Sequence, residues 1–218
     1  MTSTRTSATA AALTATVGLA AASWGVLILG VGGMGMGVAT PLGSFASFMV
    51  MWVPMMAAMM LPGMAPTVLR HTDGGGHASA VLLFVGSYLA VWAFVGIPVY
   101  TLYQPHGTLM AGAVTLAAGL YELTPLKHVL RRRCCRSMRS GLTCGLYCVG
   151  SCIGLMAMQV ALGVMSLTWM AMTALVVLAQ KLLPTKAAID VPVALAIIGL
   201  GILIVVAPSS VPGLMPSM

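Results

Sequence analysis

Between Arg139 and Lys181 the chain carries no charged residue. Roughly 40 uncharged residues amount to two helix lengths, since a helix of about 20 residues spans about 30 Å, the hydrocarbon thickness of a bilayer. A soluble fold would have to bury both helices and supply a charged surface elsewhere. That surface is missing. Only 6% of the 218 residues are charged and 60% are hydrophobic, whereas a soluble domain carries about 25% charged residues. The chain therefore reads as all-α: a polytopic transmembrane helix bundle, one membrane domain whose main partner is the lipid bilayer.

The apolar stretches predict about seven spans, at about 11–31, 44–61, 78–102, 108–126, 142–162, 164–183 and 191–207. The first could be a signal peptide. Its apolar run is long for one, and it is read as a retained helix. Pro98 predicts a kink near the end of the third span. Gly163 is the natural place to fold the uncharged stretch in half. The segment from Lys127 to Ser140 reads as a strongly charged loop.

Seven crossings place alternate loops on alternate sides. All ten Lys and Arg then fall on one side: Arg5; Arg70; Lys127, Arg131, Arg132, Arg133, Arg136 and Arg139; Lys181 and Lys186. The positive-inside rule puts that side, with the N-terminus, in the cytoplasm and the C-terminus outside. The net charge of +7 thus reports orientation. It does not call for nucleic acid.

Three sets of residues stand out chemically. The second span holds Met49, Met51, Met55, Met56, Met59, Met60 and Met64. Met55 and Met59 share one helical face, as do Met56 and Met60. Thioethers are soft ligands that suit Cu(I), although methionine also fills gaps between packed helices. Pro54 kinks this helix by leaving a carbonyl unbonded. Cys144, Cys148 and Cys152 recur every four residues, with Met156 one turn further. They are either a ligand stripe or small residues at a helix contact. Glu122 is the one acid inside a span, which makes it a functional candidate, or else a partner for Lys127 or an arginine.

Orientation places Met55 to Met60, Glu122 and Cys144 to Cys152 in the inner halves of three different spans, so one shared site is expected. Met34, Met36, Met49, Met51, Met158 and Met165 lie towards the outer face and sketch a soft-metal path. Cys134-Cys135, beside arginines, is a candidate metal or redox pair. His71, His77, His106 and His128 read as loop residues, and only His71 and His77 approach ligand spacing. No Walker loop, dinucleotide fingerprint or His-Glu-x-x-His motif is present, which points away from an enzyme. Three acidic residues are too few for a hard-metal site.

The run Trp52-Val-Pro-Met-Met-Ala-Ala-Met-Met-Leu-Pro62 resembles the signature of the bacterial family known as domain of unknown function 2182. Its members are described as metal-binding integral membrane proteins, some as copper chaperones. Gly119-Leu-Tyr-Glu-Leu-Thr-Pro-Leu-Lys127 and the Cys-Arg-Ser at Cys135 resemble further blocks. So do Gly145-Leu-Tyr-Cys-Val-Gly-Ser-Cys152 and Met165-Ser-Leu-Thr-Trp-Met170, ending at Pro184. Departures are a short segment before Gly145, Ser151 in place of a cysteine and Gln180 in place of an acid. The resemblance implies a metal-associated, multi-pass protein of the bacterial cytoplasmic (inner) membrane.

Together these observations predict Cu(I) handling or delivery. The predicted soft ligands are Met55, Met59, Met60, Cys148 and Cys152, with Glu122 as a nearby charge or proton partner. A chain with short loops and no soluble domain also suits an accessory subunit of a larger membrane complex, such as one built around a copper-dependent enzyme. Thiol-disulfide exchange through Cys134-Cys135 or Cys148/Cys152 is a third expectation.

Overall fold

A computed structural model describes residues 2–31, 42–68, 78–136, 140–164, 166–183 and 187–211. Side chains are described for these except at 2–12, 31, 78, 135, 136 and 187–189. The expectations on His71, His77, Met34, Met36, Met165 and the Cys135 thiol lie outside the described residues and side chains.

Every regular element among the described residues is helical. The main helices are α1 (Thr2–Val31), α2 (Phe45–Met60), α3 (Ala78–Leu102), α4 (Thr108–Glu122), α5 (Pro125–Arg136), α6 (Gly141–Gly163), α7 (Leu167–Leu182) and α8 (Ala187–Val206). Three contain spans long and apolar enough to cross a membrane: Leu13–Gly30, Ser79–Leu102 and Gly141–Gly163. Two bent pairs bring that to five, and α7 and α8 contribute shorter apolar helices. Large apolar side chains such as Leu83, Phe94, Leu102, Leu175 and Val206 are exposed on the outer surface. That is the composition of a lipid-facing wall.

Local chemistry sets the helix ends. The Ser44 hydroxyl accepts from the Ser47 amide at 3.2 Å and caps α2. Beyond Met60, Pro62 starts a second short helical piece, Pro62–Val68, turned by 44°. Ser140 caps α6 by accepting from the Leu142 amide. Gly163 closes α6 with φ 123°, a conformation that costs a side-chain-bearing residue dearly. The chain continues as α7, whose Thr173 hydroxyl donates to Gln159 Oε1 of α6 at 2.9 Å.

The part of the charged segment from Lys127 to Arg136, read as loop, is a helix, and this is a correction. At its start Thr124 interrupts α4: its hydroxyl donates to the Tyr121 carbonyl at 2.7 Å and accepts from the Lys127 amide at 3.4 Å. Pro125 occupies the first position of α5, where its missing N–H costs nothing. The axis turns by 69°. Lys127, Arg131 and Cys134 are buried along one face of α5, while Arg132 and Arg133 are exposed.

Packing is close where glycines allow it. Gly112 and Gly119 on α4 and Gly201 on α8 leave no room for a Cβ, so these two helices approach backbone to backbone. On α3, a Cβ at Gly96 would stand 2.7 Å from the Trp52 ring. The Trp52 indole fills that space and donates to the Trp92 carbonyl at 2.8 Å. The second half of α2 is fully enclosed. Every residue from Met55 to Leu61 is buried, so both methionine faces point into protein.

Candidate metal centre

Four thiols and two thioethers collect at the end of α2 nearest the basic helix α5. Cys144, Cys148 and Cys152 form the buried stripe of α6, no more than 3% exposed. Helix α5 presents Cys134 to this stripe: its Sγ lies 3.9 Å from Cys144 Sγ. Each of the two thiols also points at the other's backbone carbonyl, at 3.7 and 3.8 Å. Cys148 interacts with both Cys134 and Cys152. Met64, on the short helical piece after α2, places its Sδ 4.0 Å from Cys144 Sγ. Sulfurs held by one ion with bonds of about 2.3 Å stand roughly 3.8–4.0 Å apart in tetrahedral or trigonal geometry, so the observed spacings suit a shared soft ion.

A cation completes the cluster. The Lys181 ammonium, from α7, donates to Tyr88 Oη at 3.1 Å and lies 3.4 Å from the Met60 carbonyl and 3.9 Å from Met60 Sδ. Tyr88, from α3, shares a hydrogen bond with Cys148 Sγ at 3.1 Å. An ammonium can only donate, so the tyrosine oxygen accepts from Lys181 and its own proton is left for the sulfur. The result is a row of donors, Lys181 to Tyr88 to Cys148. Gly63 makes room for it, since a Cβ there would collide with the Lys181 stem. Lys181 also acts electrostatically on Cys152 and Cys134.

Beside the sulfurs lies a buried charge network. Lys127 donates to Glu122 Oε2 and, at 3.0 Å, to Gln180 Oε1. Gln180 in turn donates to Glu122 Oε2 at 2.7 Å. Glu122 Oε1 has no hydrogen-bond partner among the described residues. Arg131 pairs with Asp190 and holds the carbonyls of Gln180 and Leu183 at the end of α7. His128, half-buried, reaches Asp190 at 3.4 Å. Cys152 Sγ lies 3.7 Å from Ser151 Oγ, whose hydroxyl donates to the Cys148 carbonyl at 3.0 Å.

The six residues singled out from the sequence are thus distributed as follows. Cys148, Cys152 and Met60 border the sulfur and lysine cluster. Glu122 is engaged by Lys127 and Gln180. Met59 is buried in α2. Met55 lines a separate cavity with Phe48, Met51 and Trp52. Sequence reasoning did not single out Tyr88, took Lys181 only as an orienting charge and Met64 only as one of seven methionines, and missed the inward face of Cys134. The 4-then-3 spacing of Lys127, Arg131 and Cys134 was the available signal for that last residue.

Among the described residues no three His, Cys, Asp or Glu side chains group as a metal site. Any metal held here would need the methionine sulfurs as well as the thiols. That donor set is soft throughout, the chemistry that selects Cu(I) over hard cations.

Comparison with curated proteins and with solved structures finds no match. The sequence model of a family named PpoB2 and described as "Copper chaperone" matches residues 49–204, from the methionines of α2 to the end of α8. It takes in every residue of the sulfur cluster and both charge networks, and the chain belongs to that family.

Proposed function

We propose that this protein binds Cu(I) inside the membrane and passes it on. The ion is cargo, held by thiols of the Cys134, Cys144, Cys148 and Cys152 set together with Met60 or Met64. The observation that carries the reading is the convergence of α5, α6 and the end of α2 on sulfurs spaced at 3.9–4.0 Å. Two thiolates around Cu(I) bear one net negative charge, and a buried net charge is costly. Lys181 supplies the compensating positive charge at that site.

The chain crosses the bacterial inner membrane about seven times in this reading, with α7 and α8 as full crossings and the N-terminus in the cytoplasm. The basic residues Arg132 and Arg133, exposed on α5, then mark the cytoplasmic face. The sulfur cluster sits just beneath it, and Glu122 and Lys127 offer a proton relay beside it. Met55 and Met59 extend the thioether lining along α2 towards the other face.

Metal analysis of protein expressed with copper and purified in mild detergent tests the proposal. At least one copper per chain is expected, and about one copper per chain fewer in Cys148→Ser/Cys152→Ser. Copper-free parent protein, or a double variant that retains the parent's copper, refutes it.

A further inference from the structure

We propose a second Cu(I) site made of thioethers alone, formed by Met51, Met55 and Met170. It rests on the Cu(I) reading above and extends it to a different place in the fold. These three methionines, from α2 and α7, line a cavity of about 10 Å³ whose remaining wall is apolar: Leu27, Phe48, Trp52, Val164 and Leu167. That volume is about what one water-sized sphere requires. A water would find no partners, because a buried water needs two to four polar groups and the one nearby indole N–H is committed to the Trp92 carbonyl. The heteroatoms of the three lining methionine side chains are thioether sulfurs.

Both size and donor chemistry therefore select a single soft, univalent ion. A divalent ion would enter with twice the charge and no anionic ligand, at a much larger desolvation cost. Hard cations would find no oxygen.

The position is informative. Met55 precedes Met60 by about 7.5 Å along α2, and Met170 precedes Lys181 by about 16 Å along α7, at about 1.5 Å per residue. Two helices thus place the cavity one to three turns from the sulfur cluster, towards the α6–α7 turn and away from the basic helix. Neutral thioethers bind Cu(I) less firmly than thiolates beside a lysine. The site is a shallow well from which an ion can move down to the thiols.

The test is Cu(I) stoichiometry of the full chain in detergent, with Cu(I) supplied as its acetonitrile complex and bound metal counted after gel filtration. Met51→Leu/Met55→Leu/Met170→Leu keeps volume and apolarity, so the fold is expected to persist. The parent is expected to hold one more Cu(I) per chain than this variant. Conversely, the chain carrying Ser at 134, 144, 148 and 152 is expected to keep one Cu(I) with sulfur-only coordination in its X-ray absorption spectrum. Equal stoichiometry in parent and methionine variant, when the parent binds copper, overturns the second site alone. A parent that binds none overturns the function as well.

Discussion

Cys134 Sγ and Cys144 Sγ face each other at 3.9 Å across the contact between α5 and α6. They come from opposite ends of the short connection between these helices, so each is presented by a different element. If both sulfurs serve one ion, removing the first should forfeit most of what the pair contributes. Cys134→Ser and Cys144→Ser are each expected to weaken Cu(I) retention about tenfold, about 1.4 kcal/mol. The double variant should be little worse than either single. Competition with a Cu(I) chelator gives the affinities, and strict additivity would argue for independent thiols.

Lys181 is expected to set Cu(I) affinity through charge. Lys181→Met leaves a metal dithiolate without its compensating cation and should lower affinity by tenfold or more. Tyr88→Phe keeps the charge but removes the hydroxyl between Lys181 and Cys148, so a smaller loss is expected. Chelator competition on both variants checks the order; a larger loss in Tyr88→Phe would reverse the assignment.

The Glu122–Lys127 pair is a matter of stability. Lys127→Met leaves the Glu122 carboxylate buried and uncompensated, a change that typically costs about 3–5 kcal/mol. Lys127→Met/Glu122→Gln removes both charges and should recover most of it. Thermal unfolding in detergent, followed by circular dichroism, measures the difference. A double variant as unstable as the single would mean that Gln180, not the ion pair, organises this corner.

Gly96→Ala probes the seat of α2. The new methyl would stand 2.7 Å from Trp52 Cδ1 and 2.8 Å from Met49 Cε. Overpacking of this kind costs about 1–3 kcal/mol, and the indole should lose its hydrogen bond to the Trp92 carbonyl. A lower melting temperature and a shift in tryptophan emission are expected, whereas an unchanged emission spectrum would show that α3 yields instead.

Much of this architecture is written in local pattern. The uncharged run, its break at Gly163 and the four-residue cysteine repeat each depend on neighbours in sequence, and the helical periodicity makes them visible. Helix α5 was hidden because charge density reads as solvated loop. Lys127 and Arg131 are instead buried against Gln180 and Asp190, partners 53 and 59 residues away that no local window contains. Tyr88 and Lys181 were hidden for a related reason. A tyrosine in an apolar helix and a lysine at a helix end carry no spacing, and their meaning appears only when α3 and α7 meet.

The two buried ion pairs close at very different times as the chain is synthesised. Glu122 and Lys127 lie five residues apart and can neutralise each other as soon as α4 and the start of α5 leave the ribosome. Arg131 has to wait for α7, whose terminal carbonyls it holds, and then for Asp190 at the start of α8. Until α8 arrives, that guanidinium lacks its counter-ion. Arrival of α8 is therefore the step that locks α5 down over the cysteines, and translation has to pass Asp190 before the sulfur cluster has a roof.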